Sequence, residues 1–115
     1  MKKSIFVSTV VTLTALFVVP MEAIAKDAMT GQEIAFDRKL GNCLACHSIS
    51  GGTQAGNIAP PLIAMKARFP SKAVLRAQIW DATVKVPGSV MLPFGRHKIL
   101  TENQIDKVTD YIHSL

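Results

Sequence analysis

Cysteine is nearly missing from this chain. Its 115 residues hold two, Cys43 and Cys46. A disulfide framework of the kind that staples small secreted domains is therefore excluded, and a bridge between residues three apart closes too short a loop to add much. Histidine is almost as scarce, with His47, His97 and His113. No pair of them has zinc-finger spacing. No stretch alternates apolar and polar residues for long enough to make a strand. There is no internal repeat, no low-complexity linker, and no paired-carboxylate or Ser/His/Asp pattern at a recognisable spacing. Aromatics make up 6% of the residues and do not interleave with the basic ones, so nucleic acid is not the expected partner.

Long apolar runs are also few. One extends from Ile5 to Val19, after Met1-Lys2-Lys3 and before Ala23-Ile24-Ala25. Its 15 residues fall short of the roughly 20 that a membrane-spanning helix needs. A basic start, a short apolar stretch and an A-x-A site describe a secretory signal peptide. Cleavage after Ala25 is expected, with residues 1–25 as leader and 26–115 as one domain without a membrane span. The expected location is the periplasm. Removing Lys2, Lys3 and Glu22 leaves 11 basic and 7 acidic residues, a formal charge of +4. A domain of 90 residues buries little apolar surface for its size and needs an additional staple.

What is present reads as helix and loop. Thr30 with Glu33 forms a capping box that opens a helix running to about Leu40, stopped by Gly41-Asn42. Ser71 starts a second helix to about Asp81, with Val74, Leu75, Gln78 and Ile79 as its stripe. Thr101 with Gln104 opens a third, whose Ile105, Val108, Ile112 and Leu115 form the best apolar stripe in the chain. Glycines and prolines fill 48–61 and 86–95. The expected fold class is all-α, three to four short helices with long loops. Loops that long call for something to order them.

Cys43-Leu44-Ala45-Cys46-His47 supplies it. This is Cys-x-x-Cys-His, the c-type haem attachment signature. Two thiols a turn apart add to the vinyl groups on one porphyrin edge, and the histidine that follows reaches the iron. A redox dithiol has the same Cys spacing but belongs in a βαβ setting. A zinc site needs further ligands. One covalently attached haem c is therefore expected, on Cys43 and Cys46, with His47 as axial ligand.

Candidates for the sixth iron position are Met29, Met65, Met91, His97 and His113. Met29 precedes the attachment site. Met65 follows His47 by only 18 residues, while Met91 follows it by 44, in the loop Val90-Met91-Leu92-Pro93-Phe94-Gly95. A loop presents a thioether without the constraint of helix direction, and His/Met ligation raises the potential. Met91 is the expected ligand, with a core gap-filler as its other reading and His97 as runner-up. The Pro60 carbonyl, placed before Pro61, is a candidate acceptor for the second ring nitrogen of His47. Trp80 is a candidate indole donor to a haem propionate, or simply core. Lys66, Arg68, Lys72, Arg76, Lys85, Arg96 and Lys98 concentrate positive charge in mid-chain, a patch for an acidic partner or merely a solvated face.

Taken in order, Gly41 to His47, Gly56-Asn57-Ile58-Ala59-Pro60-Pro61-Leu62, Arg68-Phe69-Pro70, Leu75 to Asp81 and Pro87 to Gly95 resemble the SoxX family. Its members are the small monohaem subunits of SoxXA, a periplasmic thiosulfate-oxidising cytochrome complex. The resemblance spans essentially all of 26–115. It implies a class I cytochrome c fold with His47 and Met91 as ligands, and a SoxA-like haem subunit as heterodimer partner. It also implies electron transfer within a haem-dependent L-cysteine S-thiosulfotransferase that couples thiosulfate to a cysteine of the carrier protein SoxYZ. Electrons then pass to a soluble acceptor cytochrome. Leu92 departs from the proline many relatives carry beside the methionine. With both cysteines committed to haem, no thiol is left for sulfur chemistry, so catalytic residues are expected on the partner. The alternative is a free-standing soluble monohaem carrier.

Overall fold

The computed structural model describes residues 21–115; the apolar run of the expected leader lies outside them. Among the described residues, five α-helices and two 3₁₀ turns account for the regular structure, and there is no strand. Helix α1 covers Met21–Ala28, across the expected cleavage point after Ala25. Helix α2 covers Gly31–Phe36, α3 Met65–Arg68, α4 Lys72–Trp80 and α5 Glu102–Ser114. None of them is long and apolar enough to cross a membrane.

Two of these helices start by the same device. Thr30 accepts the Glu33 N–H while the Glu33 carboxylate accepts the Thr30 N–H. Thr101 and Gln104 repeat the exchange at the head of α5. Each box satisfies two donors that a helix start otherwise leaves unpaired. Ser71 stands at the N-cap of α4 without a side-chain cap bond.

Helix α5 is the spine. Ile105, Val108 and Ile112 are buried on it, and α2, α3 and α4 all pack against it. Ile34 of α2, Met65 of α3 and Leu75 and Ile79 of α4 complete the same core. Gly31 lies where α2 crosses α5: a Cβ there would collide with the Lys107 carbonyl and the Tyr111 Cβ. Ion pairs tie α4 to α5 on the solvent side, Lys72 to Asp110 at 2.6 Å and Arg76 to Asp106 at 2.5 Å and Glu102 at 3.3 Å.

Two expectations are revised and one element is new. The first helix stops at Phe36, four residues before Leu40. Asp37, in extended geometry, caps it, and the chain turns through Leu40 and Gly41 into Asn42, whose φ of 46° leads into the next turn. Val74 is exposed, so the α4 stripe narrows to Leu75 and Ile79. Helix α3 was not expected, because one turn carries too few residues to show a period.

Candidate haem site

The motif sits in a single tight turn. Cys43–Ala45 forms a 3₁₀ helix, after which the N–H groups of Cys46 and His47 both donate to the Cys43 carbonyl, at 3.3 and 2.9 Å. Both cysteines are free thiols and half-buried. The following loop folds back and bonds the turn's main chain. Gly56 N–H donates to the Leu44 carbonyl at 2.7 Å, and Ala59 N–H donates to the Cys46 carbonyl at 3.0 Å.

That fold-back carries Pro60 to His47. The His47 Nδ1 lies 2.7 Å from the Pro60 carbonyl oxygen. A carbonyl only accepts, so Nδ1 carries the proton and Nε2 is left with its lone pair. Such a tautomer is ready to bind a metal.

Burial pushes the Cys43 thiol up to about 11. A redox dithiol needs the opposite shift, toward thiolate at neutral pH. Among the described residues no three His, Cys, Asp or Glu side chains gather into a metal-ion set. The turn's donor set is two sulfurs and an imidazole, and that set suits a porphyrin edge with its iron.

The loops on either side fit a large apolar body as well. Ile58, Ile63, Val86, Val90 and Leu92 are all more than half exposed. These are large apolar side chains that the domain's own core leaves uncovered, and all of them lie in the two long loops.

The candidates for the sixth position separate. Met65 is 2% exposed inside the helical core, and its sulfur accepts from Arg68 at 3.4 Å. His113 donates through Nε2 to the Phe69 carbonyl at 3.0 Å. Both are engaged in holding the fold. Met29 packs on the core and its carbonyl takes the Lys107 ammonium at 3.2 Å. His97 is exposed. Met91 is half-buried and packs against the core from the tip of its loop, its N–H donating to the Ser89 hydroxyl at 3.3 Å.

Trp80 is half-buried at the end of α4. Its ring lies so close under Gly95 that any Cβ there would run into it. The Arg76 guanidinium stands 5.5 Å from the ring centroid. The mid-chain basic residues do not make one free patch, since Lys72, Arg76 and Arg96 each have a carboxylate partner.

Two residues of this region were read from the sequence only as a helix end and as one of the basic residues. These are Asp81 and Arg96, which pair at 3.0 Å. Asp81-Ala82-Thr83 is a capping sequence, and it was the available signal.

Comparison with known proteins agrees with the donor set. A sequence model of the family described as Cytochrome c matches residues 28–115. An uncharacterized lipoprotein of Aquifex aeolicus (strain VF5) is 34% identical over 76 residues, covering 65% of this chain and 37% of that protein. The cbb3-type cytochrome c oxidase subunit CcoP of Azospirillum sp. (strain B510) is 34% identical over 128 aligned positions, covering 90% of this chain and 38% of that one. The chain thus spans less than two-fifths of the length of either relative. Among solved structures, a chain in the crystal structure of SoxXA from P. pantotrophus superposes with a TM-score of 0.66 and 28% identity, covering 73% of this chain and 77% of that one.

Proposed function

This chain belongs to the cytochrome c family, and from that premise we propose that it is the SoxX-like electron-transfer subunit of a periplasmic thiosulfate-oxidising complex. The fold is that of a class I cytochrome c, the protein transfers electrons, and its cofactor is covalently bound haem c. When bound, the haem supplies a one-electron iron couple.

The chain's own residues hold and tune that couple. Cys43 and Cys46 would anchor the ring by thioethers, and His47 would present Nε2 to the iron while the Pro60 carbonyl fixes its ring. Met91 would supply a thioether from the other loop, favouring the reduced state. Trp80 would donate its indole N–H to a propionate at the ring edge. Ile58, Ile63 and Leu92 would keep water from the ring.

The observation that carries this reading is the His47–Pro60 contact at 2.7 Å, which leaves one imidazole nitrogen free beside two thiols. The sulfur-oxidation assignment has a separate support, the likeness to a chain of SoxXA. Both cysteines being spent on haem, the sulfur chemistry falls to the partner, a SoxA-like subunit acting on a carrier protein such as SoxYZ. Electrons then leave through this chain to a soluble acceptor.

A tagged pull-down from the native periplasm, with haem staining, tests the assignment. A stable heterodimer with a second haem protein is expected. A monodisperse monomer would overturn it in favour of a free-standing carrier. Thiosulfate turnover by the isolated haem-loaded chain would refute the division of labour. The likeness to CcoP favours a second reading, a carrier or module that feeds electrons to an oxidase. Reduction of an oxidase without any sulfur-oxidising partner would select it.

A further inference from the structure

The loop that carries Met91 starts and ends at one place. The chain leaves α4 at Trp80, turns through the 3₁₀ helix Ala82–Val84, passes Met91 and returns to Trp80. There the Gly95 N–H donates to the Trp80 carbonyl at 3.1 Å, and the Arg96 N–H approaches the same oxygen at 3.5 Å. Asp81 stands between the two arms, its side chain 5% exposed.

Its two carboxylate oxygens are divided between the arms. Oδ1 accepts the Thr83 N–H at 3.0 Å and the Thr83 hydroxyl at 2.5 Å, on the outgoing arm. Oδ2 lies 3.0 Å from the Arg96 guanidinium, on the returning arm. The Thr83 hydroxyl bond, with Arg96 and His97 nearby, holds the Asp81 carboxyl below its ordinary range, so it is ionised at neutral pH.

We propose that Asp81 is a positioning residue for Met91, clasping both arms at the base of the loop and so limiting how often the thioether leaves its ligand position. This rests on the reading of Met91 as the sixth ligand. The physical argument is one of populations. An added ligand reaches the sixth position only in conformers where Met91 has swung away. Its apparent Kd is the intrinsic value divided by the fraction of such conformers. Opening the base of the loop enlarges that fraction without touching any ligand of the iron.

The test is an imidazole titration of the oxidised haem-loaded protein, followed by loss of the near-infrared methionine–iron band. Asp81→Asn and Arg96→Gln are each expected to lower the apparent Kd about fivefold, and Arg96→Lys to restore most of it. Arg96 has a 57% exposed side chain, so its replacement opens no cavity in the core. Thr30→Ala, which loosens the cap of α2 far from the loop in sequence, serves as control. It should lower Tm and leave imidazole affinity unchanged. An unaltered Kd in both Asp81→Asn and Arg96→Gln overturns the proposal, as does an equal drop in Thr30→Ala. Met91→Ala separates the two claims. If the band survives in that variant, the ligand reading has failed and the clasp fails with it. If the band disappears there while the clasp variants titrate like the parent, only the clasp has failed.

Discussion

The helical scaffold and the two long loops are built by opposite means. In α2, α4 and α5 the side chains do the joining: Ile34, Leu75, Ile79, Ile105, Val108 and Ile112 all turn inward to one core. In 48–64 and 85–100 the main chain does it, through bonds such as Leu62 N–H to the Ser48 carbonyl at 2.9 Å and Ile99 N–H to the Phe94 carbonyl at 2.9 Å. Some loop side chains are anchored, as Phe94 and Leu62 are, but Ile58 and Val90 stay 74% and 83% exposed. The scaffold is complete as protein. The loops hold large apolar side chains that this core does not cover, and the family's haem is the body expected to order them.

The sharpest way to break that comparison is to withhold the haem. In a Cys43→Ala/Cys46→Ala chain, hydrogen exchange should become fast across 48–64 and 85–100 while α5 remains the best protected segment. Equal loss of protection in both regions would erase the distinction. Within the scaffold, Ile105 is fully buried, and Ile105→Ala should cost about 2–5 kcal/mol in a denaturant titration of the haem-loaded protein. Replacing an exposed loop residue of similar size, Val90→Ala, should cost far less by the same assay. A smaller effect is expected at the cap of α5: Thr101→Ala should lose about 1 kcal/mol, and Thr101→Ser should keep most of it.

The smallest effect concerns pH. Asp81 has a lowered carboxyl pKa in the folded chain, so its contribution is present above the ordinary value of 3.8 and is lost as pH falls through the folded value. The stability of Asp81→Asn should therefore decline less steeply than that of the parent below about pH 4, the two converging in stronger acid. Parallel acid limbs would show that the carboxylate is not held by the fold.

Most of the scaffold was legible in the residues. Thr30 with Glu33 and Thr101 with Gln104 are capping boxes whose chemistry is entirely local, and both form. The α5 stripe has enough turns for its period to stand out. The end of α2 was not legible, because Asp37 leaves helical geometry with neither a glycine nor a proline beside it, well before the Gly41-Asn42 stop. Nor was α3, a single turn whose N-cap Ala64 has a φ of 49° that alanine rarely adopts. At the candidate site the cysteines and His47 announce themselves by spacing, and Pro60 by the proline after it. The Asp81–Arg96 clasp joins residues 15 apart through a loop without periodicity, and such a contact is decided only when the chain has closed on itself.

The crossing at Gly31 has a bearing on the whole assembly. Because a single hydrogen separates the α2 backbone from that of α5, the two helices meet there with almost no spacer. Seven residues after α2 ends, the chain presents Cys43. A methyl group at position 31 would meet the Lys107 carbonyl and the Tyr111 side chain, and α2 would have to back away from α5 at its first turn. The defect would surface as a loosened contact between the first and last helices of the core, from the addition of a single carbon.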